Sequence, residues 1–178
     1  MTSIVFQLIL ALLLLACAIR VRRSGGAPRS RSWGQIMGAI APGHNHLAAL
    51  SYGCVFSEGI ECSSADLWAS IGGIEGLFWI YRNTGVLLCA IDYLESSCPQ
   101  SPAVSSVMEA LRRDAADVRM VAAITVVRQS MRRILGDSHV LLQETAGSYF
   151  SFIARLGLAI HDYRPELLDD YVFPMSKI

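Results

Sequence analysis

The sequence predicts an all-α protein: a single N-terminal transmembrane helix followed by a helical bundle of three long helices, with short helices at its start. Three observations predict it. An uncharged run, Ser3–Ile19, lies near the start of the chain. Further on, apolar residues recur every three and four positions over long stretches, the period of a helix with one apolar side. No stretch alternates at period two for long enough to argue a strand. Composition agrees. The chain has 178 residues, is 53% hydrophobic and 17% charged, and has a mean hydropathy of +0.42. That length suits one domain, and that composition excludes a disordered chain. The expected division is an anchor with a basic flank over residues 1–23, a flexible linker over 24–32, and the bundle over 33–178.

The anchor reads SIVFQLILALLLLACAI, with Gln7 its only strongly polar residue. Seventeen residues reach about 26 Å as a helix, the short end for about 30 Å of hydrocarbon. Arg20, Arg22 and Arg23 follow at once and no basic residue precedes, whereas a cleaved signal peptide begins with positive charge. The positive-inside rule then puts these arginines, as a membrane flank, and the body in the cytoplasm. Fourteen Arg against one Lys suggest a GC-rich bacterial genome, so the expected location is a bacterial inner membrane, crossed once. Two rival readings stand beside it. Ala16-Cys17-Ala18 has the A-x-A form of a signal-peptidase site. Leu14-Leu15-Ala16-Cys17 resembles a lipoprotein cleavage box that would leave Cys17 lipidated. In the cytoplasmic reading Cys17, Cys54, Cys62, Cys89 and Cys98 are reduced thiols; in the lipoprotein reading the last four allow three disulfide pairings.

Ser24–Ser32 is Gly/Ser/Pro/Arg-rich and reads as linker. Trp33 fits either a headgroup-level indole or a side chain packed on the first helix of the body. Short apolar segments at Gly34–Ala41 and Leu47–Phe56 are separated by Pro42-Gly43. Ser63-Ser64 is expected to cap a helix from Ala65 whose buried stripe is Leu67, Ile71, Ile74, Phe78 and Tyr81. Arg82-Asn83-Thr84-Gly85 interrupts or kinks it, and the stripe resumes at Leu87, Ile91 and Leu94 before Cys98-Pro99. Glu75, Arg82 and Asp92 argue against a second membrane span here, and Gly72-x-x-x-Gly76 points to a close helix–helix contact.

Ser101-Pro102 is a strong helix start, and Gly136 a stop after Leu135. Two seams run along this helix. Val104, Met108, Leu111, Ala115, Val118 and Ala122 form one; Met120, Ile124, Val127, Met131 and Ile134 form the other. They lie about 200° apart, so the expectation is a central helix packed on one side early and on the other late. Asp137 or Ser138 caps the last long helix, whose seam is Leu142, Ala146, Tyr149, Ile153, Leu156, Ile160 and Tyr163. Phe150 and Phe152 lie off that seam and extend the core, face the membrane or meet a partner. Arg164-Pro165 ends the helix, and Glu166–Tyr171 adds one short helix.

Chemistry is thin. The net charge is zero, but it divides unevenly. Five Arg and no acid occupy residues 1–33, and nine Arg and one Lys against fifteen acids leave 34–178 at minus five. An acidic body offers no footprint for nucleic acid. His44-Asn45-His46 lacks the surrounding strands of a ββα-metal nuclease. His44, His46, Cys54 and Cys62 supply an N2S2 donor set as a metal-site candidate, without the tight spacing of structural zinc sites. No Glu-x-x-His pairs mark a di-iron bundle. No Gly-x-Ser-x-Gly elbow, Walker sequence or dinucleotide glycine pattern is present. Arg112-Arg113 reads as a solvated, salt-bridged face, and Arg132-Arg133 as cations near a helix C-terminus. No cofactor is implied. The expected function is therefore non-enzymatic: a membrane-tethered bundle, held by residues 3–19, acting as a protein-interaction or scaffold module or by self-association. The alternative is a lipid- or small-molecule-binding bundle at the membrane surface, with an enclosed cavity lined by residues such as Phe78, Met120, Met131 and Phe152.

Overall fold

The computed structural model describes residues 32–40, 68–69, 71–99, 101–131 and 139–171, and among these it contains helix and no strand. A short helix α1 (Trp33–Met37) precedes three long ones: α2 (Gly73–Ser97), α3 (Pro102–Ser130) and α4 (His139–Tyr163). A 3-10 turn, Pro165–Leu167, follows. No helix among the described residues is long and apolar enough to cross a membrane, and the expected anchor, with Arg20, Arg22 and Arg23, lies outside them.

Each start has a local cause. Ser32 caps α1 by accepting from the Gln35 N–H, while the Gln35 side chain accepts from the Ser32 N–H at 3.1 Å; the reciprocal pair satisfies two otherwise orphaned donors. Ser101 caps α3, accepting from Val104 N–H at 3.2 Å, with Pro102 at the first helical position. Trp33 is buried and its ring lies 5.7 Å from that of Tyr93, so the indole packs on α2.

Helix α3 is central, packing extensively against α2 and against α4, while α2 and α4 touch less. Its buried positions are Arg119 and a stripe of Val104, Met108, Leu111, Ala115, Val118, Ala122 and Thr125, a heptad alternation of four and three. The opposing stripe on α2 is Leu77, Ile80, Thr84, Leu87, Ile91 and Leu94, and on α4 it is Leu142, Ala146, Tyr149, Ile153, Leu156 and Ile160. Burying each large aliphatic side chain contributes roughly 1.5–3 kcal/mol. Phe150 and Phe152 extend this core.

Polar groups fix the register. Thr125 and Thr145 meet hydroxyl to hydroxyl at 2.9 Å between α3 and α4, one donating to the other while that acceptor donates to a carbonyl of its own helix, Val121 for Thr125 or Leu141 for Thr145. The Tyr149 hydroxyl of α4 bonds to Asn83 of α2, and burial pushes Tyr149 well above the ordinary tyrosine range. Tyr171 donates to the Ile153 carbonyl at 3.1 Å, closing the C-terminal segment onto α4. Buried polar pairs of this kind discriminate against slipped registers.

Three expectations are corrected. The helix expected from Ala65 with a break at residues 82–85 breaks instead at Gly72-Gly73, both at positive φ (84° and 67°), and then runs unbroken through Ser97. Residues 82–85 stay helical because their polar groups find partners: Thr84 donates to the Ile80 carbonyl at 2.7 Å and Asn83 meets Tyr149. The glycine break resets the phase, so Ile74 and Phe78, expected inside, are 39% and 55% exposed. The nearest described atoms to Gly72 and Gly76 belong to Gly76 and Ile71. A Cβ on Gly76 would stand 1.7 Å from the Ile71 carbonyl oxygen, so the glycine admits the chain's own preceding turn. The second seam of α3 is open where it begins: Met120 and Ile124 are exposed, because α2 and α4 both meet the single stripe that Thr125 prolongs, while Val127 and Met131 are half-buried and Ile134 lies outside the described residues.

Candidate interaction site

The groove between α2 and α3 carries the most unusual side-chain set. The helices run antiparallel, and one flank of α3 presents Arg112 and Arg119, seven residues or two turns apart. At the first position the charge is answered. Arg112 Nη2 donates to Asp92 Oδ1 at 2.7 Å and to Glu95 Oε2 at 2.5 Å, all three partly open to solvent. The Arg112 hydrogen bond, aided by its charge, holds the Glu95 carboxyl below the usual range, and the same bond raises Arg112.

At the second position it is not. Arg119 is 4% exposed, and its guanidinium carbon sits 4.3 Å from the centre of the Tyr81 ring. The group lies flat along α2: a Cβ on Gly85 would stand 3.9 Å from that carbon. Stacking on Tyr81 supplies cation–π attraction. No carboxylate among the described residues pairs with it, although Arg112, Arg113, Arg155 and Arg164 each have one. The Arg119 Nε–H is buried without an acceptor.

Four large apolar side chains of α2 and α3 are exposed: Ile74 and Phe78 on α2, at 39% and 55%, and Met120 and Ile124 on α3, at 56% and 38%. Met120 lies about 200° around α3 from the seam residue Val118, so it faces away from the packed side of the helix. Among the described residues Val140 and Leu158 of α4 are exposed as well.

The remaining sequence candidates fall as follows. Cys17, His44, His46, Cys54 and Cys62 lie outside the described residues, and among the described residues no group of three His, Cys, Asp or Glu side chains is placed to hold a metal. The Cys89 thiol donates to the Gly85 carbonyl at 3.8 Å, and burial pushes the Cys98 thiol up. Phe152 is core while Phe78 and Met120 face outward, so these three do not line one enclosed cavity. The Arg112-Arg113 face is salt-bridged as expected, though Arg112 reaches across to α2 while Arg113 pairs within its own helix with Glu109. Arg119 and Tyr81 escaped the sequence as a pair; the signal was an arginine beside the seam residue Val118, seven positions after Arg112. Searched against protein-family models, curated proteins and solved structures, the chain matches none.

Proposed function

We propose that this chain is a membrane-tethered, non-enzymatic helical bundle that acts by binding another protein or a second copy of itself through exposed apolar side chains of α2 and α3. The observation that carries the reading is the outward placement of Phe78 and Met120 on a body whose heptad seams are otherwise closed. Large apolar side chains left exposed outside the core are where a soluble partner can gain apolar burial. The tether rests on Ser3–Ile19 and on the arginines that follow it; a bacterial inner membrane with the body in the cytoplasm is the location consistent with them. The lipidated-Cys17 arrangement is the competing one.

Photo-cross-linking of the full chain in its membrane tests the face. A photoreactive side chain at position 78 or 120 is expected to give discrete adducts, and one at the exposed Arg113 is not. Adducts no stronger at 78 and 120 than at 113 overturn the proposal. Topology is read separately, from intact mass and from thiol labelling before and after permeabilisation. The full-length mass, with labelling only after permeabilisation, supports the cytoplasmic body. Cleavage before Cys17 with added lipid moves the groove outside the cytoplasm.

A further inference from the structure

Helix α4 ends where Arg164 leaves helical geometry (φ −147°, ψ 63°) and Pro165 follows. The chain turns through Pro165–Leu167 and doubles back. Tyr171 reaches the carbonyl of Ile153, ten residues before the last residue of α4, or about 15 Å back along the helix. Residues 164–171 thus form a strap on the bundle. Leu167 and Tyr171 are its buried anchors, and Glu166, Asp169 and Asp170 are exposed. From Pro165 on, the described backbone N–H bonds run within the strap: Leu167 donates to Arg164, Leu168 to Pro165, and Tyr171 to Leu167 and Leu168. Side chains tie it to the helices. Tyr171 holds Ile153, and Arg164 Nη1 donates to the Ser97 carbonyl at 3.4 Å. Next to that carbonyl lies Cys98, 7% exposed, on whose thiol the charges of Arg164 and Glu166 act.

This construction leaves the catch satisfied whether the strap is on or off. Closed, the Tyr171 hydroxyl has the Ile153 carbonyl, and the neighbouring Tyr149 hydroxyl keeps its own bond to Asn83. Open, water replaces the carbonyl at Tyr171, Ile153 keeps its helical bond within α4, and no helix ladder is broken. A segment held this way separates from a folded core at a lower cost than global unfolding. We propose that residues 164–171 are a releasable strap with Tyr171 as its catch, opening and closing on a folded bundle and uncovering the Cys98 thiol when it opens. The strap then governs when a thiol-reactive compound reaches Cys98. It works apart from the exposed side chains of α2 and α3.

The test is labelling of the full chain with N-ethylmaleimide, the Cys98 peptide being followed by mass spectrometry. Amide exchange of α4 and of the strap is read on the same samples. Wild-type Cys98 is expected to label far more slowly than a free thiol, at a rate little changed by low urea, because opening the strap exposes little surface. Tyr171→Phe keeps the ring and drops the bond, and should raise the rate about fivefold. Tyr171→Ala should raise it about a hundredfold. The amides of Leu167, Leu168 and Tyr171 should speed up by similar factors while residues 142–149 of α4 keep their protection. Leu111→Ala, which weakens the whole bundle, should leave Cys98 labelling nearly unchanged. Labelling that rises steeply with urea and follows Leu111→Ala overturns the proposal, since the thiol is then reached by global unfolding. So does labelling of wild type at the free-thiol rate, or labelling indifferent to both Tyr171 variants. Loss of protection at residues 142–149 in Tyr171→Ala overturns it too, because the strap then does not come away alone.

Discussion

Arg112 and Arg119 sit on the same flank of one helix, against the same neighbour, and differ in almost everything that matters energetically. Arg112 is partly solvated and answered by two carboxylates. Such a pair contributes little, roughly 0–1 kcal/mol, because water competes for both charges. Arg119 is buried on an aromatic ring with its Nε–H unanswered. The first arginine explains itself by what it touches. The second is stacked on Tyr81 with no carboxylate beside it among the described residues.

The comparison can be broken or sharpened by substitution. The largest effect is expected at the shared floor. Leu111→Ala should cost about 2–5 kcal/mol in urea unfolding, because Leu111 is buried in the seam from which both arginines branch. Next comes Gly85→Leu, which drives a side chain into the Arg119 guanidinium and should cost about 1–3 kcal/mol. Gly85→Ala should be neutral or up to about 1 kcal/mol stabilising, since a Cβ there meets Arg119 at ordinary contact distance and alanine favours helix. Arg112→Met should lose about 1 kcal/mol or less at neutral pH, and the loss should vanish in acid. The sign follows from Glu95, whose carboxyl Arg112 holds below its unfolded value. The stabilisation is present above the ordinary Glu range near 4.3, and it disappears as pH falls through the folded Glu95 value. Unfolding of wild type and Arg112→Met from pH 7 downward checks this; a difference that persists in strong acid would refute it. Smallest of all, Phe78→Ser and Met120→Ser should change stability by no more than about 0.5 kcal/mol, both being exposed. A larger loss would mean that these side chains are part of the core.

Much of the bundle was legible in the sequence, for reasons the residues make plain. The α4 stripe from Leu142 to Ile160 and the first α3 stripe from Val104 to Ala122 are nearly all apolar, so counting apolar residues traces the buried face. The same count fails on α2. There Asn83 and Thr84 occupy the buried face, tied to Tyr149 and to the Ile80 carbonyl, while Ile74 and Phe78 point outward. It fails again at Met120 and Ile124, a seam with no helix to receive it. The misread apolar residues are those now assigned to the interaction face: an apolar side chain held for a partner carries the same periodic signal as one held for the core. Arg119 was invisible for a different reason. Nothing in its own segment shows that Tyr81 covers it.

The central claim is that the described chain leaves the Arg119 charge uncompensated. Equilibrium unfolding of Arg119→Met beside wild type and Arg112→Met tests it most directly. The account predicts that Arg119→Met is at least as stable as wild type, because removing an unanswered buried charge offsets the lost stacking on Tyr81. It also predicts that Arg112→Met is the less stable of the two variants at neutral pH. Destabilisation of Arg119→Met by about 3–5 kcal/mol, the loss seen when a compensated buried pair is broken, would contradict it and return Arg119 to the core.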